Sequence, residues 1–75
     1  MKKWKMTHEH GDLRIVTEED LRHGTCVEWL ADDIDDEYFG NKLYDLLNEI
    51  LATLPIEAVL TLYAKVEGVD FKEVA

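Results

Sequence analysis

The side chains with the most specific chemistry in this sequence are three histidines and a single cysteine. They are spaced as His8-x-His10 and His23-x-x-Cys26. Residues two apart on a strand point to the same face, and a turn can bring His23 and Cys26 together. Three imidazole nitrogens and one thiolate suit tetrahedral Zn²⁺, so one hypothesis is a small zinc-stabilised domain.

The alternative interpretation of the same residues is structural. Zinc modules usually carry two or more cysteines, whereas this chain has one. The histidines would then be exposed, and Cys26 would be a small apolar residue of the core. We favour this interpretation and predict no bound cofactor.

A second group of chemically active side chains is the acidic run Asp-Asp-Ile-Asp-Asp-Glu at residues 32–37. An EF-hand loop needs a glycine at its sixth position and a glutamate at its twelfth. Counted from Asp35, Gly40 falls sixth but Leu46 falls twelfth, so the run does not fit a calcium loop. Its functional interpretation is a surface that imitates the charges of a phosphate backbone and occupies a basic groove. A solvated helix junction is the structural alternative.

Aromatic residues lie beside the acidic run, with Trp29 before it and Tyr38 after it. Aromatic side chains are frequent hot spots of interfaces, but they also carry much of the burial in a small core. For Trp29 we favour a core position that bridges to the N-terminal strands. The predicted partner-binding residues are Glu28, Trp29, Asp32, Asp33, Asp35, Asp36, Glu37 and Tyr38.

Catalysis has little support in the sequence. Nucleophilic chemistry would need Cys26 activated by a base, and His23 is the local candidate, with no orienting third group. The four glycines are scattered, so no phosphate-binding loop is formed. We therefore predict that the chain is not an enzyme.

The charge balance points to the class of partner. Seventeen acidic and eight basic residues give a net charge of −9 in 75 residues. Such a balance repels nucleic acid and anionic membranes and favours a basic protein surface. No apolar run approaches the roughly 20 residues that span a bilayer. The single cysteine fits a reducing compartment, so we expect a cytoplasmic location.

The spacing of apolar residues predicts the elements that position these groups. Trp4 and Met6 alternate with polar residues, which predicts a strand over 2–7. A return strand over 13–16 follows a turn in which Gly11 supplies the positive φ. Residues 69–75 could be a short strand, a docked turn or a frayed end.

Helices are predicted for the middle of the chain. Thr17 and the acidic residues after it resemble the start of a helix. We expect a short helical turn there that ends before Gly24. Apolar spacing predicts helices over 25–34 and 43–54, and a last helix that opens at Pro55 and ends at Gly68. The last two are expected to pack as an angled or antiparallel pair.

Together these elements predict one domain over residues 1–75, of class α+β, with a small N-terminal β-hairpin packed on about three α-helices. The alternative is an all-α fold with an irregular N-terminus.

The leading functional hypothesis is a small acidic protein–protein interaction module. In size and charge it resembles the small acidic inhibitors of phages and other mobile elements, including anti-CRISPR and anti-restriction proteins, although no sequence motif carries this likeness. The resemblance implies a DNA mimic that blocks a nucleic-acid-binding protein. The alternatives are the zinc-stabilised domain and a structural homo-oligomer, such as a homodimer, formed by the leucine-rich faces of residues 43–66 with Tyr44 and Leu62 at its interface.

Overall fold

A computed structural model describes residues 2–34 and 42–74 of the chain. The elements in chain order are β1 (Lys3–His8), β2 (Leu13–Thr17), α1 (Glu18–Arg22), α2 (Thr25–Ile34), α3 (Lys42–Thr53), α4 (Ile56–Glu67) and β3 (Val69–Val74). The fold is α+β, with a small antiparallel sheet packed on helices, as predicted. The all-α alternative is therefore wrong.

The sheet has three strands in the order β2-β1-β3, so the central strand is the first one in the chain. The predicted hairpin is present, with Trp4 opposite Val16. At its turn Gly11 has a φ of 93°, and the Gly11 N–H donates to the carbonyl of His8. The C-terminal segment, for which the sequence left three alternatives, is a strand that pairs with β1 and places Phe71 opposite Met6.

Local sequence signals start α1 and end α4 at the positions that the sequence predicts. The Thr17 hydroxyl accepts from the Asp20 N–H, and the Asp20 carboxylate accepts in return from the Thr17 N–H. This reciprocal capping box starts α1 directly after β2. At the other end of the chain, Gly68 adopts the left-handed conformation with φ 66° and ends α4, which lets β3 begin at once.

The two long C-terminal helices do not form the predicted pair. Each packs against α1 and α2, and they make no extensive contact with each other. The physical reason lies in α1. Its Arg22 guanidinium donates to the Leu51 and Leu54 carbonyls at the end of α3, while the Tyr63 hydroxyl of α4 donates to the Leu21 carbonyl. The short helix therefore lies between α3 and α4.

The core lies between the inner face of the sheet and the helices. Its fully buried large side chains include Tyr63, Leu21, Leu30 and Leu51. The predicted apolar stripes are only partly buried, because Ile34, Leu46 and Ile50 are 40–49% exposed. None of the helices in the described segments is long and apolar enough to cross a membrane.

Candidate functional site

An open groove of about 360 Å³ lies where the hairpin turn, α2 and the end of α4 meet. We call it the acidic groove. Its lining residues are His8, His10, Asp12, Trp29, Asp32, Asp33 and Glu67. At neutral pH the lining carries four carboxyl groups and no lysine or arginine. The concave surface is therefore suited to a cationic group.

Helix α2 supplies one wall of the acidic groove. Its Trp29, Asp32 and Asp33 are spaced so that their side chains lie on one side of the helix. Trp29 and Asp33 are one helical turn apart, as are Glu28 and Asp32. The opposite face of α2 carries Val27 and other buried residues that hold the helix on the core. The groove face is thus presented by a helix that packing fixes in place.

Trp29 is partly exposed and contacts the hairpin. The guanidinium of Arg14 lies 4.6 Å from the centroid of the Trp29 ring, and the side chain remains 37% exposed. Arg14 is on the inner face of the sheet because it stands opposite Met6 in the register. The predicted bridge to the hairpin is present, but Trp29 is not part of the buried core. The contact shows that this indole accepts a guanidinium on its face.

The hairpin supplies the second wall. The rings of His8 and His10 are stacked, with centroids 5.2 Å apart and planes 4° from parallel. The Nδ1 atom of His10 lies 3.2 Å from the Asp12 carboxylate. The first two histidines therefore lie side by side, but His10 belongs to the hairpin turn rather than to the strand, and both line a groove of carboxylates and an indole rather than a thiol.

Glu67 closes the groove from the last turn of α4. Burial, a shared hydrogen bond with Asp33, and the charges of Asp33 and Asp32 raise the pKa of Glu67 to about 7. One of its carboxylate oxygens is buried without a hydrogen-bond partner among the described residues. Three carboxyl groups are thus crowded together, and a cation placed among them would relieve their repulsion.

The four residues of the zinc hypothesis are not gathered. His8 and His10 lie at the hairpin, His23 is the exposed C-cap of α1, and Cys26 is buried at 1% exposure. Within residues 2–34 and 42–74, no group of three or more histidine, cysteine, aspartate or glutamate side chains could hold a metal ion. Burial raises the pKa of the Cys26 thiol, which disfavours the thiolate needed for ligation or nucleophilic attack.

The predicted partner-binding residues divide into two sets. Trp29, Asp32 and Asp33 line the acidic groove, and Glu28 lies on the exposed surface one turn before Asp32. The other four, Asp35, Asp36, Glu37 and Tyr38, lie outside the described residues.

Sequence reasoning did not find Glu67 or Asp12. Glu67 is 34 positions beyond Asp33, and only the packing of α4 on α2 brings the two carboxyls together. No periodicity in the sequence signals that contact. Comparison with protein-family models, with curated proteins and with solved structures found no match, so the groove must be interpreted from its own geometry.

Proposed function

We propose that this chain is a protein–protein interaction module whose acidic groove receives a basic side chain from a partner protein. The observation that carries the proposal is the convergence of Asp12, Asp32, Asp33 and Glu67 beside the half-exposed ring of Trp29. Carboxylates pair with arginine or lysine, and the Trp29 ring, which Arg14 already contacts, supplies an apolar wall beside them.

The energetics of the groove support a cationic ligand. In the described part of the chain, no lysine or arginine forms an ion pair with Asp32, Asp33 or Glu67. A partner's guanidinium would therefore replace carboxylate repulsion with attraction, and it would favour the ionised form of Glu67. The net charge of −9 would steer a basic partner towards the surface from a distance.

The partner that best fits this chemistry is a nucleic-acid-binding protein. Its basic surface is built to contact spaced phosphates, and a surface of spaced carboxylates can occupy the same place. The chain would then act as an inhibitor by competition, in the manner of a DNA mimic. A cytoplasmic location and the absence of catalysis belong to the same proposal, since the only thiol is buried.

A charge reversal in the groove tests the proposal. Wild-type protein is used as bait in lysate at two salt concentrations, beside Asp33→Lys and the control Glu57→Lys. Glu57 is an exposed acid of α4 outside the groove lining, so the control has the same change of net charge. The proposal predicts that a basic partner is captured by wild type and by Glu57→Lys, more weakly at high salt, and is lost with Asp33→Lys.

Unfolding is excluded as the cause of such a loss by a melting curve. A lysine at position 33 places an ammonium beside Glu67, so the melting temperature of Asp33→Lys at pH 8 should be equal to or above that of wild type. If Asp33→Lys captured the same partner as strongly as Glu57→Lys did, the acidic groove would not be the binding site.

A further inference from the structure

The outer face of the sheet carries an exposed apolar pair on its edge strand β2, with lysines beside it on β1 and β3. Leu13 and Ile15 of β2 are 59% and 48% exposed and point away from the helices, since the intervening Arg14 and the following Val16 point inwards. We call this surface the sheet patch. It is composed of Leu13, Ile15, Lys3, Lys5 and Lys72.

The register of the strands explains the positive charge of the sheet patch. Lys5 stands opposite Ile15 on one side and opposite Lys72 on the other, and directly opposed residues share a face. Two lysines in a cross-strand pair repel each other. One carboxylate, Asp70, shares this face, and none of the three lysines forms an ion pair within the described segments. The sheet patch therefore favours an acidic partner with an apolar centre.

A surface of this chemistry is present on the same chain. Leu46 and Ile50 of α3 are 49% and 41% exposed, one turn apart, and Asp45 and Glu49 immediately precede them. We call these four residues the helix patch. The exposed Lys42 lies one turn before Leu46 on the same side of α3, so two carboxylates and one lysine leave this side with a net negative charge. The buried stripe of α3, which consists of Leu43, Leu47 and Leu51, lies directly beside the helix patch. Because α3 packs on α1 and α2 and makes no extensive contact with a strand, the helix patch cannot cover the sheet patch of its own molecule.

We infer that copies of this chain associate head to tail, with the sheet patch of one copy on the helix patch of the next. Each patch presents two aliphatic side chains that would bury one another, and the lysines of the first would face the carboxylates of the second. A two-fold contact between sheet patches would instead bring lysines together. A head-to-tail contact leaves one patch free at each end, so it forms rings or open chains.

This inference is independent of the proposed function, because neither patch includes a residue of the acidic groove. It also places the contact between copies at other residues than Tyr44 and Leu62, which were expected from the sequence. Tyr44 and Leu62 are partly buried against the core, whereas Leu46 and Ile50 are 49% and 41% exposed and offer more apolar surface to a second copy.

The test uses two variants. Each removes the apolar side chains of one patch and replaces them with residues that suit the secondary structure at those positions. Leu13→Thr/Ile15→Thr places β-branched residues in the strand, and Leu46→Gln/Ile50→Gln places good helix formers in α3. Circular dichroism and melting curves establish that both are folded. Sedimentation velocity of wild type should show species larger than 8.7 kDa that grow with concentration. Each variant alone should dissociate at least about tenfold more readily, because each loses two buried aliphatic contacts.

Mixing the variants gives the decisive result. Each retains the patch that the other lacks, so an equimolar mixture should form a species of twice the monomer mass and stop there. The inference is overturned if wild type stays monomeric to about 1 mM. It is also overturned if the helix-patch variant still associates as wild type does, which would indicate a two-fold contact through the sheet, or if the mixture remains monomeric.

Discussion

Two polar regions of this molecule differ in whether their charged and polar atoms find partners. Around Arg22 they do: its guanidinium contacts Glu18 at 3.0 Å and donates to two carbonyls at the end of α3. In the acidic groove, Asp32, Asp33 and Glu67 are crowded together, and one oxygen of Glu67 is buried without a partner among the described residues.

The difference separates groups that stabilise the fold from groups that we propose bind a partner. A satisfied network fixes the position of one element on another, and its loss costs folding free energy. A crowded group of carboxyls does the opposite, because its mutual repulsion lowers the stability of the free protein and a bound cation relieves that repulsion. We therefore expect substitutions in the first region to destabilise the fold and substitutions in the second to leave the fold intact or to stabilise it.

The largest effect is expected for Arg22→Ala. It removes a side chain that is 15% exposed and leaves the carbonyls of Leu51 and Leu54 without this charged donor. Hydrogen bonds to charged groups contribute more than neutral ones, so the free energy of unfolding should fall by about 2–4 kcal/mol. Urea denaturation measures the change.

Glu18→Gln is the control for that substitution. It weakens the ion pair, in which the Glu18 side chain is 44% exposed, but keeps the contacts of Arg22 with α3. A loss of no more than about 1 kcal/mol is expected, because such exposed pairs contribute little. Equal losses for the two variants would show that the ion pair, rather than the capping of α3, is what matters.

A smaller loss is expected for Tyr63→Phe. The Tyr63 hydroxyl donates to the Leu21 carbonyl at 2.7 Å in a buried site, and the ring keeps its edge contact with Phe71. The variant preserves the apolar packing but removes the hydroxyl that donates to the Leu21 carbonyl. The free energy of unfolding should therefore fall by about 1–2 kcal/mol. An unchanged midpoint of denaturation would show that this hydrogen bond does not hold α4 on α1.

An effect of opposite sign is expected for Glu67→Gln. The pKa of Glu67 is about 7 in the folded protein and 4.5 for an ordinary glutamate. The folded state therefore keeps the proton over this window while the unfolded state has released it, and stability falls as the pH rises from 4.5 to 7. The variant has no proton to lose, so it should match wild type near pH 4.5 and melt higher at pH 8.

The groups that face Glu67 determine how this pH dependence is interpreted. Asp32 and Asp33 of α2 and the buried Cys26 and Tyr63 interact with Glu67 electrostatically, and His8, His10 and Asp12 of the hairpin line the same groove. Glu57→Gln, at an exposed site of α4 outside the acidic groove and outside both patches, is the matched control and should keep the slope of wild type. If Glu67→Gln kept the same dependence of stability on pH as wild type, Glu67 would not be the group whose titration destabilises the protein.

Much of the fold could be predicted because its signals are local. Gly11 at the hairpin turn, the capping box at Thr17 and Gly68 at the end of α4 each act through neighbouring backbone atoms. The alternation of Trp4 and Met6 also placed them correctly on the inner face. These features need no knowledge of which elements meet.

The rest depends on contacts between distant segments. Leu46 and Leu47 are equally apolar, but only the second is buried, because the insertion of α1 between α3 and α4 decides which side of α3 faces inwards. The meeting of Asp33 with Glu67 has the same origin. The sequence therefore predicted the α2 wall of the acidic groove but not the residue that makes it a concentrated negative site.

The most direct test of the central claim is the pKa of Glu67, measured by carbon-13 NMR of its side-chain carboxyl with and without an oligo-arginine peptide. We predict a value of about 7 in the free protein and a lower value with the peptide, because a bound guanidinium favours the carboxylate. A free value near that of an ordinary glutamate, or one that the peptide leaves unchanged, would contradict the account of the acidic groove as a site for a basic side chain.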